Sequence, residues 1–426
     1  MERIGKYEVR RQIGRGATAA VYLAYDPFAQ REVAVKRFHP EVLRDPQRGR
    51  LYRHLLINEA SLAGKLNHPH IVQILDAVVD DQDGYVVMEY VPGGTLEAWC
   101  QPDRLLPFDR LIEITFKCTR ALDYAYHQGI THRDIKPANI LLNDQDGQDI
   151  RLTDFGTALF TASDTTQLSG VGSPAYMSPQ QVREIPLNHQ TDIYSLGVVM
   201  YQLLCGRLPF EASNPYSLLY RIAHEDAPPP STYRVGIPPA LEAIVRRAMV
   251  RDLERRYRSW SEFSQDLAQA FRNRSFSPGQ DTLPDAQKFQ ALRGIRFFRE
   301  FSDVEIWEVV NFSDWSDALA GTTLLKEGES GQHFCFLVEG EARVKKHDQL
   351  LQTLGPGDCF GEMALFDPTG GIRSASVETT TPSRIATIRA SALQRASDTC
   401  RMHFYKAFLE VMAERLALAN QRMVSL

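Results

Sequence analysis

Two short polar segments at a fixed separation constrain this 426-residue chain more than any other feature. The first is H-R-D-I-K-P-A-N at residues 132–139, and the second, D-F-G at residues 154–156, begins twenty residues after Asp134. Upstream, the apolar run V-A-V at residues 33–35 ends in Lys36. This combination of carboxylates, an amide and lysines at these spacings is very unlikely to arise by chance. We therefore expect a fold that brings these three segments together.

A glycine-rich segment lies close to the start of the chain. Residues 13–21, I-G-R-G-A-T-A-A-V, read as a strand, a turn and a second strand. Gly14 and Gly16 would let backbone amides close over the phosphates of a nucleotide. The third glycine of the usual G-x-G-x-x-G pattern is Ala19 here, so a plain hairpin is an equal alternative.

Lys36 has two interpretations. A single lysine at the end of a strand is most often exposed to solvent. Alternatively it pairs with nucleotide phosphates and is held by Glu59, which lies nine residues before His68 in a helix-like segment, residues 58–72.

Taken together, these segments resemble the eukaryotic-type protein kinases, a family that also occurs in bacteria. The resemblance implies a bilobal α+β kinase fold and ATP with Mg²⁺ as cofactors. It further implies that Asp134 accepts the proton of the substrate hydroxyl, that Lys136 steadies the γ-phosphate, and that Asn139 and Asp154 hold Mg²⁺. Lysine at position 136 is the pattern of Ser/Thr kinases, so the expected substrates are protein serines and threonines.

The resemblance also assigns the nucleotide contacts. The segment V-V-M-E-Y-V-P-G-G-T-L at residues 86–96 is similar to the passage where adenine meets backbone amides, although Met88 can equally be a core residue. The implied contacts are Gly14, Gly16, Val21, Ala34, Lys36, Glu89, Val91, Asn139 and Asp154.

Residues 172–180, G-S-P-A-Y-M-S-P-Q, resemble the end of an activation segment, and the following apolar helix is expected to anchor that segment through Asp192. Gln180 stands where the family usually has Glu paired with an arginine, here Arg256. A neutral amide makes a weaker bond than a carboxylate, which predicts a softer activation segment.

Arg133 precedes the proposed catalytic aspartate, and in the family such an arginine often binds a phosphorylated activation loop. Thr165, Thr166 and Ser169 are the candidate phosphosites. Each of them can also be an ordinary polar loop residue.

The C-terminal part carries a second resemblance. Residues 326–344 and 354–377 resemble the cyclic-nucleotide-binding domains of bacterial regulators and of cyclic-nucleotide-dependent kinases. The resemblance implies a β jelly roll with flanking helices and a ligand cassette made by Gly361, Glu362, Arg373 and Ser374. Glu362 would accept a bond from a ribose hydroxyl, and Arg373 would neutralise the cyclic phosphate.

The ligand identity stays open between cAMP and cGMP, with a slight preference for cAMP, because Ser374 can meet the 2-amino group of a guanine yet is tolerated by cAMP binders. A jelly roll that keeps the shape without the ligand, and serves as a dimerisation element, is an alternative. The final helix can close over the base or pack between two subunits of a homodimer.

Length and composition agree with this organisation. The predicted domains are a kinase domain at residues 1–272, a polar linker at residues 273–294, and a cyclic-nucleotide-binding-like domain at residues 295–426. A net charge of −5 argues against nucleic acid as a partner. The first residues are too charged for a signal peptide, and no apolar stretch is long enough to span a membrane, so a cytoplasmic location is expected.

Three functions remain at this level. The leading hypothesis is an active kinase whose activity is biased by a cyclic nucleotide. The second keeps the kinase active but makes the C-terminal domain a constitutive dimeriser. The third is an inactive signalling scaffold, against which the complete set Lys36, Glu59, Asp134, Asn139 and Asp154 argues.

Overall fold

The computed structural model forms two compact units, Met1–Phe276 and Ser277–Leu426. It describes residues 2–16, 18–45, 49–62, 64–79, 84–143, 149–155, 159–160, 174–272, 283–363 and 371–424. No helix within these ranges is long and apolar enough to cross a membrane.

The first unit begins with a β lobe. Its sheet has the order β1-β2-β3-β4-β6-β5, with antiparallel neighbours throughout. The strands are β1 Arg3–Ile4, β2 Tyr7–Arg15, β3 Ala19–Asp26, β4 Arg31–Phe38, β5 Ile74–Val79 and β6 Gly84–Glu89. Helices α1 Pro40–Leu43 and α2 Gly49–Ser61 lie between β4 and β5.

Side chains alternate between two apolar clusters in this sheet, as the pleat requires. Val33 and Val35 pack in one cluster, whereas Ala34 packs in the other with Met88 of β6. Since both clusters are buried, β4 is fixed in register, and Lys36, two residues before its end, is fixed with it.

A helical lobe follows. It contains short strands, paired as β7 with β10 and β8 with β9: β7 Ile130–Thr131, β8 Ile140–Leu142, β9 Ile150–Leu152 and β10 Leu159–Phe160. Its helices are α3 Phe108–His127, α4 Pro179–Val182, α5 Gln190–Cys205, α6 Pro215–His224, α7 Pro239–Ala248 and α8 Trp260–Arg272. Single 3₁₀ turns occur at Leu96–Trp99, Pro137–Asn139, Pro174–Tyr176 and Pro230–Thr232. The predicted order of a β lobe and then a helical lobe is confirmed.

The second unit packs two four-stranded sheets, β11-β18-β13-β16 and β12-β17-β14-β15, around one apolar core. The strands are β11 Ser313–Ala318, β12 Thr323–Leu325, β13 His333–Glu339, β14 Ala342–Lys346, β15 Gln349–Leu354, β16 Cys359–Phe360, β17 Ser376–Thr379 and β18 Ser383–Arg389. Helices α9 Asp285–Gly294, α10 Asp303–Phe312, α11 Ala390–Gln394 and α12 Asp398–Val424 flank them, with a 3₁₀ turn at Arg296–Phe298. This agrees with the expected small β barrel with flanking helices.

The linker prediction needs a correction. Residues 285–294 were expected to be part of a polar linker, but they form α9, which belongs to the second unit. Phe289 on this helix is 1% exposed, and its ring lies 4.8 Å from that of Trp307. The helix is short and largely polar, so its apolar face is visible only once Trp307 is packed against it.

Candidate functional site

Three elements of the first unit converge on Lys36. Lys36 lies on β4, two residues before the strand ends, and its Nζ contacts Glu59 Oε2 of α2 at 3.0 Å. The same Nζ contacts the carboxylate of Asp154, two residues after β9. The side chain of Lys36 is only 15% exposed, so the exposed-lysine interpretation is wrong.

The charges of this cluster depend on one another. Burial disfavours the ammonium of Lys36, but the carboxylates of Asp154 and Glu59 prevail and raise its pKa. Burial also acts to raise the pKa of Asp154, yet the Lys36 ammonium prevails and lowers it. The pKa of Glu59 is raised, mainly by burial and against the effect of Lys36. Lys36 and Asp154 are therefore both charged at neutral pH.

The catalytic-loop candidates contact one another directly. Lys136 Nζ donates to Asp134 Oδ2 at 2.7 Å. Asn139 Nδ2 donates to the Asp134 carbonyl at 2.8 Å and to Asp134 Oδ2 at 3.1 Å. Since its nitrogen is used in this way, the amide of Asn139 has its oxygen as the remaining group for a cation.

Two residues of the site hold an unusual backbone conformation. Arg133 and Asp154 both have φ of 69°, in the left-handed region that non-glycine residues seldom adopt. The Arg133 amide and the adjacent His132 amide each donate to the Asp192 carboxylate at 2.7 Å. This buried carboxylate holds the loop in its strained form.

This arrangement corrects the role expected for Asp192. The residue anchors the catalytic loop, whereas the end of the activation segment is held by Ser195, whose Oγ donates to the Tyr176 carbonyl at 2.8 Å. Both residues lie on α5, one turn apart, so one helix fixes both segments.

An apolar wall lies close to these polar groups. Val21, Ala34, Met88 and Val91 belong to one apolar cluster, which brings together four positions that were predicted separately. Leu141 of β8 packs in the same cluster and was missed by the sequence analysis. Its position two residues after Asn139 is the only signal that could have indicated it.

The hydrogen bonds of Glu89, at the end of β6, limit how a nucleotide base could bind to this residue. The Glu89 amide donates to the Gln73 carbonyl at 3.0 Å, and the Glu89 carboxylate accepts from the Gln73 amide at 3.0 Å. The Glu89 N–H is therefore already committed, and a contact with a base at this residue would have to use its carbonyl.

The glycine-rich segment forms a hairpin between β2 and β3. Gly14 pairs with Val21 in the ladder, and the Gly16 amide donates to the Ala19 carbonyl at 2.8 Å. A hairpin is compatible with both interpretations given above, since it is also the shape that covers phosphates.

The pair expected at the end of the activation segment is present. Arg256 Nη1 donates to Gln180 Oε1 at 3.1 Å, and Arg256 is 1% exposed. Gln180 Nε2 in turn donates to the Arg251 carbonyl at 3.2 Å. Burial lowers the pKa of Arg256 to about 10. The candidate phosphosites Thr165, Thr166 and Ser169 lie outside the described residues.

In the second unit, Glu362 and Arg373 do not pair with each other. The guanidinium of Arg373 donates to the Gly361 and His333 carbonyls, both at 2.7 Å. The carboxylate of Glu362 accepts from Arg415 of α12, a residue that the sequence analysis did not select. Both Glu362 and Arg373 are buried, at 1% and 4% exposure, whereas Ser374 is exposed.

Two glycines lie directly against the side chain of Arg373. A Cβ on Gly331 would lie 2.1 Å from Arg373 Nε, so this position admits no side chain while the arginine keeps its place. Gly361 has φ of 81°, and a Cβ there would lie 2.8 Å from Arg373 Nη1. These two glycines shape the cradle around the guanidinium.

The fold and these side chains define a two-lobed kinase unit followed by a cyclic-nucleotide-binding-type barrel. Residues 7–268 match the protein kinase domain model, and residues 317–400 match the cyclic nucleotide-binding domain model. The chain therefore belongs to the protein kinase family.

Three similar proteins are bacterial kinases. The chain is 36% identical over 270 residues to a probable serine/threonine-protein kinase of Clostridium acetobutylicum, covering 63% of this chain and 40% of the relative. It is 37% identical over 269 residues to serine/threonine-protein kinase PknB of Mycobacterium leprae, covering 62% and 42%. PrkC of Bacillus subtilis is 35% identical over 269 residues, covering 63% and 41%. The chain thus spans less than half the length of these curated relatives.

Proposed function

We propose that this chain transfers the γ-phosphate of ATP to serine and threonine hydroxyls of proteins, and that a cyclic nucleotide bound by the second unit regulates the transfer. The single observation that carries the kinase proposal is the cluster in which Lys36 contacts both Glu59 and Asp154. A buried ammonium held by two carboxylates is placed to bind the phosphates of a nucleotide.

Each remaining residue has a role that its contacts support. Asp134, oriented by Lys136 and Asn139, accepts the proton of the substrate hydroxyl. Lys136, already beside that carboxylate, adds positive charge where the transferred phosphoryl group passes. Val21, Ala34, Met88, Val91 and Leu141 form the apolar surface on which a purine can lie.

The residues fit Mg²⁺ as the cation. Asp154 supplies a carboxylate, and Asn139 supplies an amide oxygen because its nitrogen is committed to Asp134. Two protein oxygens are the usual share for this ion, which keeps water and phosphate oxygens as its other ligands. When bound, the ion would offset the negative charge that develops on the phosphate oxygens.

Radiolabelled phosphate transfer by the full chain, with and without cyclic nucleotide, tests both parts of the proposal. Transfer to a Ser/Thr protein substrate that changes on addition of cAMP or cGMP supports both. Transfer without a nucleotide response supports only the kinase part. No transfer with Mg-ATP supports the scaffold alternative.

We also propose that α12 joins two copies of the chain. Met402, Tyr405, Leu409 and Leu416 are exposed by between 46% and 67%, and their spacings of three, four and seven residues place them in one heptad stripe. A second copy of the same helix offers the matching stripe. Light scattering tests this: the wild type should elute as a dimer and a Leu409→Glu variant as a monomer, and a monomeric wild type contradicts it.

A cytoplasmic location is part of the proposal. ATP is the phosphate donor, and the six cysteines are free and buried, as is usual in a reducing compartment.

A further inference from the structure

The backbone beside Asp134, the proposed proton acceptor, is held at several points. The Arg133 amide donates to the Asp192 carboxylate at 2.7 Å. The carbonyl of the same residue accepts from Gln181 Nε2 at 2.9 Å. The Asp134 amide donates to His132 Nδ1 at 3.3 Å. The peptide unit that joins Arg133 to Asp134 is therefore fixed through both its carbonyl and its N–H.

Gln181 lies on α4, at the end of the activation segment, and both ends of its side-chain amide are used. Its Oε1 accepts from the Ser178 amide at 2.9 Å, and the Gln181 backbone amide donates to Ser178 Oγ at 3.2 Å, so the two residues form a capping box. Because the cap uses the oxygen of the side-chain amide, its nitrogen is the group that faces the Arg133 carbonyl. Gln181 thus joins the activation segment to the catalytic loop across 48 residues of sequence.

This bond acts on a strained residue. Arg133 has φ of 69°, in the left-handed region, which costs free energy for a residue other than glycine. Such a conformation persists only when its polar groups are held, and here Asp192 holds the N–H while Gln181 holds the carbonyl. Rotation of this peptide would turn the next residue, Asp134, away from the direction in which it meets the substrate hydroxyl.

We infer that Gln181 is a positioning residue for phosphoryl transfer: its side-chain nitrogen fixes the Arg133 peptide and thereby orients the Asp134 carboxylate. This inference rests on the proposed kinase function. It gives Gln181 a role separate from that of its neighbour Gln180, whose side chain pairs with Arg256. Transfer therefore depends on the folded end of the activation segment, because only the folded α4 places the Gln181 nitrogen at the catalytic loop.

Two substitutions separate the donor from the cap. Gln181→Glu keeps an oxygen for the Ser178 amide, since glutamate is a usual capping-box residue, but it has no N–H for the Arg133 carbonyl. Gln181→Met removes both bonds without adding charge. Each variant should lower kcat about ten- to a hundredfold, the range expected when a catalytic group is misplaced. KM for ATP should change by less than about twofold, because Lys36 and its partners are untouched.

Initial rates of the full chain with Mg-ATP and a Ser/Thr protein substrate give kcat and KM. Calorimetry with a non-hydrolysable ATP analogue and Mg²⁺ gives the nucleotide affinity. Ser178→Ala weakens the cap but keeps the Gln181 nitrogen on the Arg133 carbonyl, so it should lower the melting temperature and keep kcat within about twofold. Gln101→Glu adds the same charge at an exposed position and should match the wild type.

The outcomes are distinct. A lower kcat in both Gln181 variants, with unchanged affinity for the analogue, supports the inference. Wild-type kcat in Gln181→Glu contradicts it, because the donor would then be dispensable and the residue would serve only as a cap. A parallel loss of kcat and analogue affinity also contradicts it, since the substitution would then disturb the whole site. No transfer by the wild type contradicts the proposed kinase function itself, and the inference is lost with it.

Discussion

Lys36 illustrates how one buried charge at the residue scale depends on its partners. A lysine with a side-chain exposure of 15% would have a lowered pKa if it were alone, because burial disfavours the ammonium. The carboxylates of Asp154 and Glu59 outweigh the effect of burial and raise the pKa of Lys36. A raised pKa means that this group stabilises the folded state at all pH values below the unfolded pKa, and that the contribution is lost only above it. Lys36 therefore stays charged at neutral pH.

We predict that Asp134→Ala and Lys36→Met each reduce phosphoryl transfer by at least about a hundredfold, since both side chains supply charge and proton transfer more than packing. Initial rates with Mg-ATP and a Ser/Thr substrate measure this. Asp103→Ala, at an exposed turn position, is the matched control and should keep wild-type rates. Near-normal turnover by either variant would contradict its assignment.

We predict that Gln180→Glu stabilises the first unit by about 1 kcal/mol at pH 7, because Arg256 gains a charged partner. The bond from Gln180 to the Arg251 carbonyl is lost, but that carbonyl also accepts from Arg256 Nη2 at 3.4 Å. The new carboxylate should have a lowered pKa, so the gain should disappear as the pH falls below about 4.

Scanning calorimetry of the full chain measures this change, which corresponds to roughly 2–4 °C for a unit of this size. Gln101→Glu adds the same charge at an exposed position and should have no comparable effect. A lower melting temperature for Gln180→Glu would mean that the amide bond to Arg251 outweighs the ion pair.

At the scale of elements, helices α5 and α9 each hold other parts of their unit in place. α5 supplies both Asp192 and Ser195, so the catalytic loop and the end of the activation segment share one support. α9 packs against the indole ring of Trp307 on α10. The second unit therefore includes a helix that precedes its barrel in the sequence.

We predict that Phe289→Ala lowers the stability of the second unit by about 3–5 kcal/mol, the usual cost of removing a buried aromatic ring. Calorimetric unfolding of the full chain measures it, and Gln290→Ala on the same helix is the control. A change below about 1 kcal/mol would show that α9 is dispensable for the second unit.

We predict autophosphorylation on the activation segment, at Thr165, Thr166 or Ser169, because the segment joins the Asp154 cluster to the anchored residues 174–176 and Arg133 can bind the added charge. Mass spectrometry after incubation with Mg-ATP gives the sites, and Asp134→Ala should remain unmodified. Phosphate found only at Ser275 or Ser277 would contradict the role of Arg133.

At the scale of the whole molecule, regulation requires the second unit to bias the first. A ligand shifts an equilibrium only by the difference between its affinities for the two states. The two units fold around separate cores, so the coupling must pass through contacts or chain that the nucleotide alters.

We predict that cAMP changes the kinase activity of the full chain, through a coupling of about 1–3 kcal/mol, or roughly 5- to 150-fold in the population shifted. Titration of the initial rate with cAMP measures this. Arg373→Ala should move the response to much higher nucleotide concentrations, because the cyclic phosphate loses its counter-charge. Binding without any change in rate would mean that the second unit senses the nucleotide for another purpose.

The sequence by itself determined the family and supplied most of the residues of the proposed kinase site. The motifs at residues 132–139 and 154–156, and the apolar run that precedes Lys36, are local patterns formed by consecutive residues. The pleat of β4 and the antiparallel pairing of β2 with β3 follow from the same short-range rules.

Only the tertiary structure decided which distant groups meet. The pairing of Arg415 with Glu362, the place of Leu141 in the apolar wall, and the attachment of α9 to Trp307 join residues with no shared local pattern. The role of Asp192 changed for the same reason, since its carboxylate reaches amides sixty residues away. Such contacts depend on how separate elements pack, and local propensity carries no information about that packing.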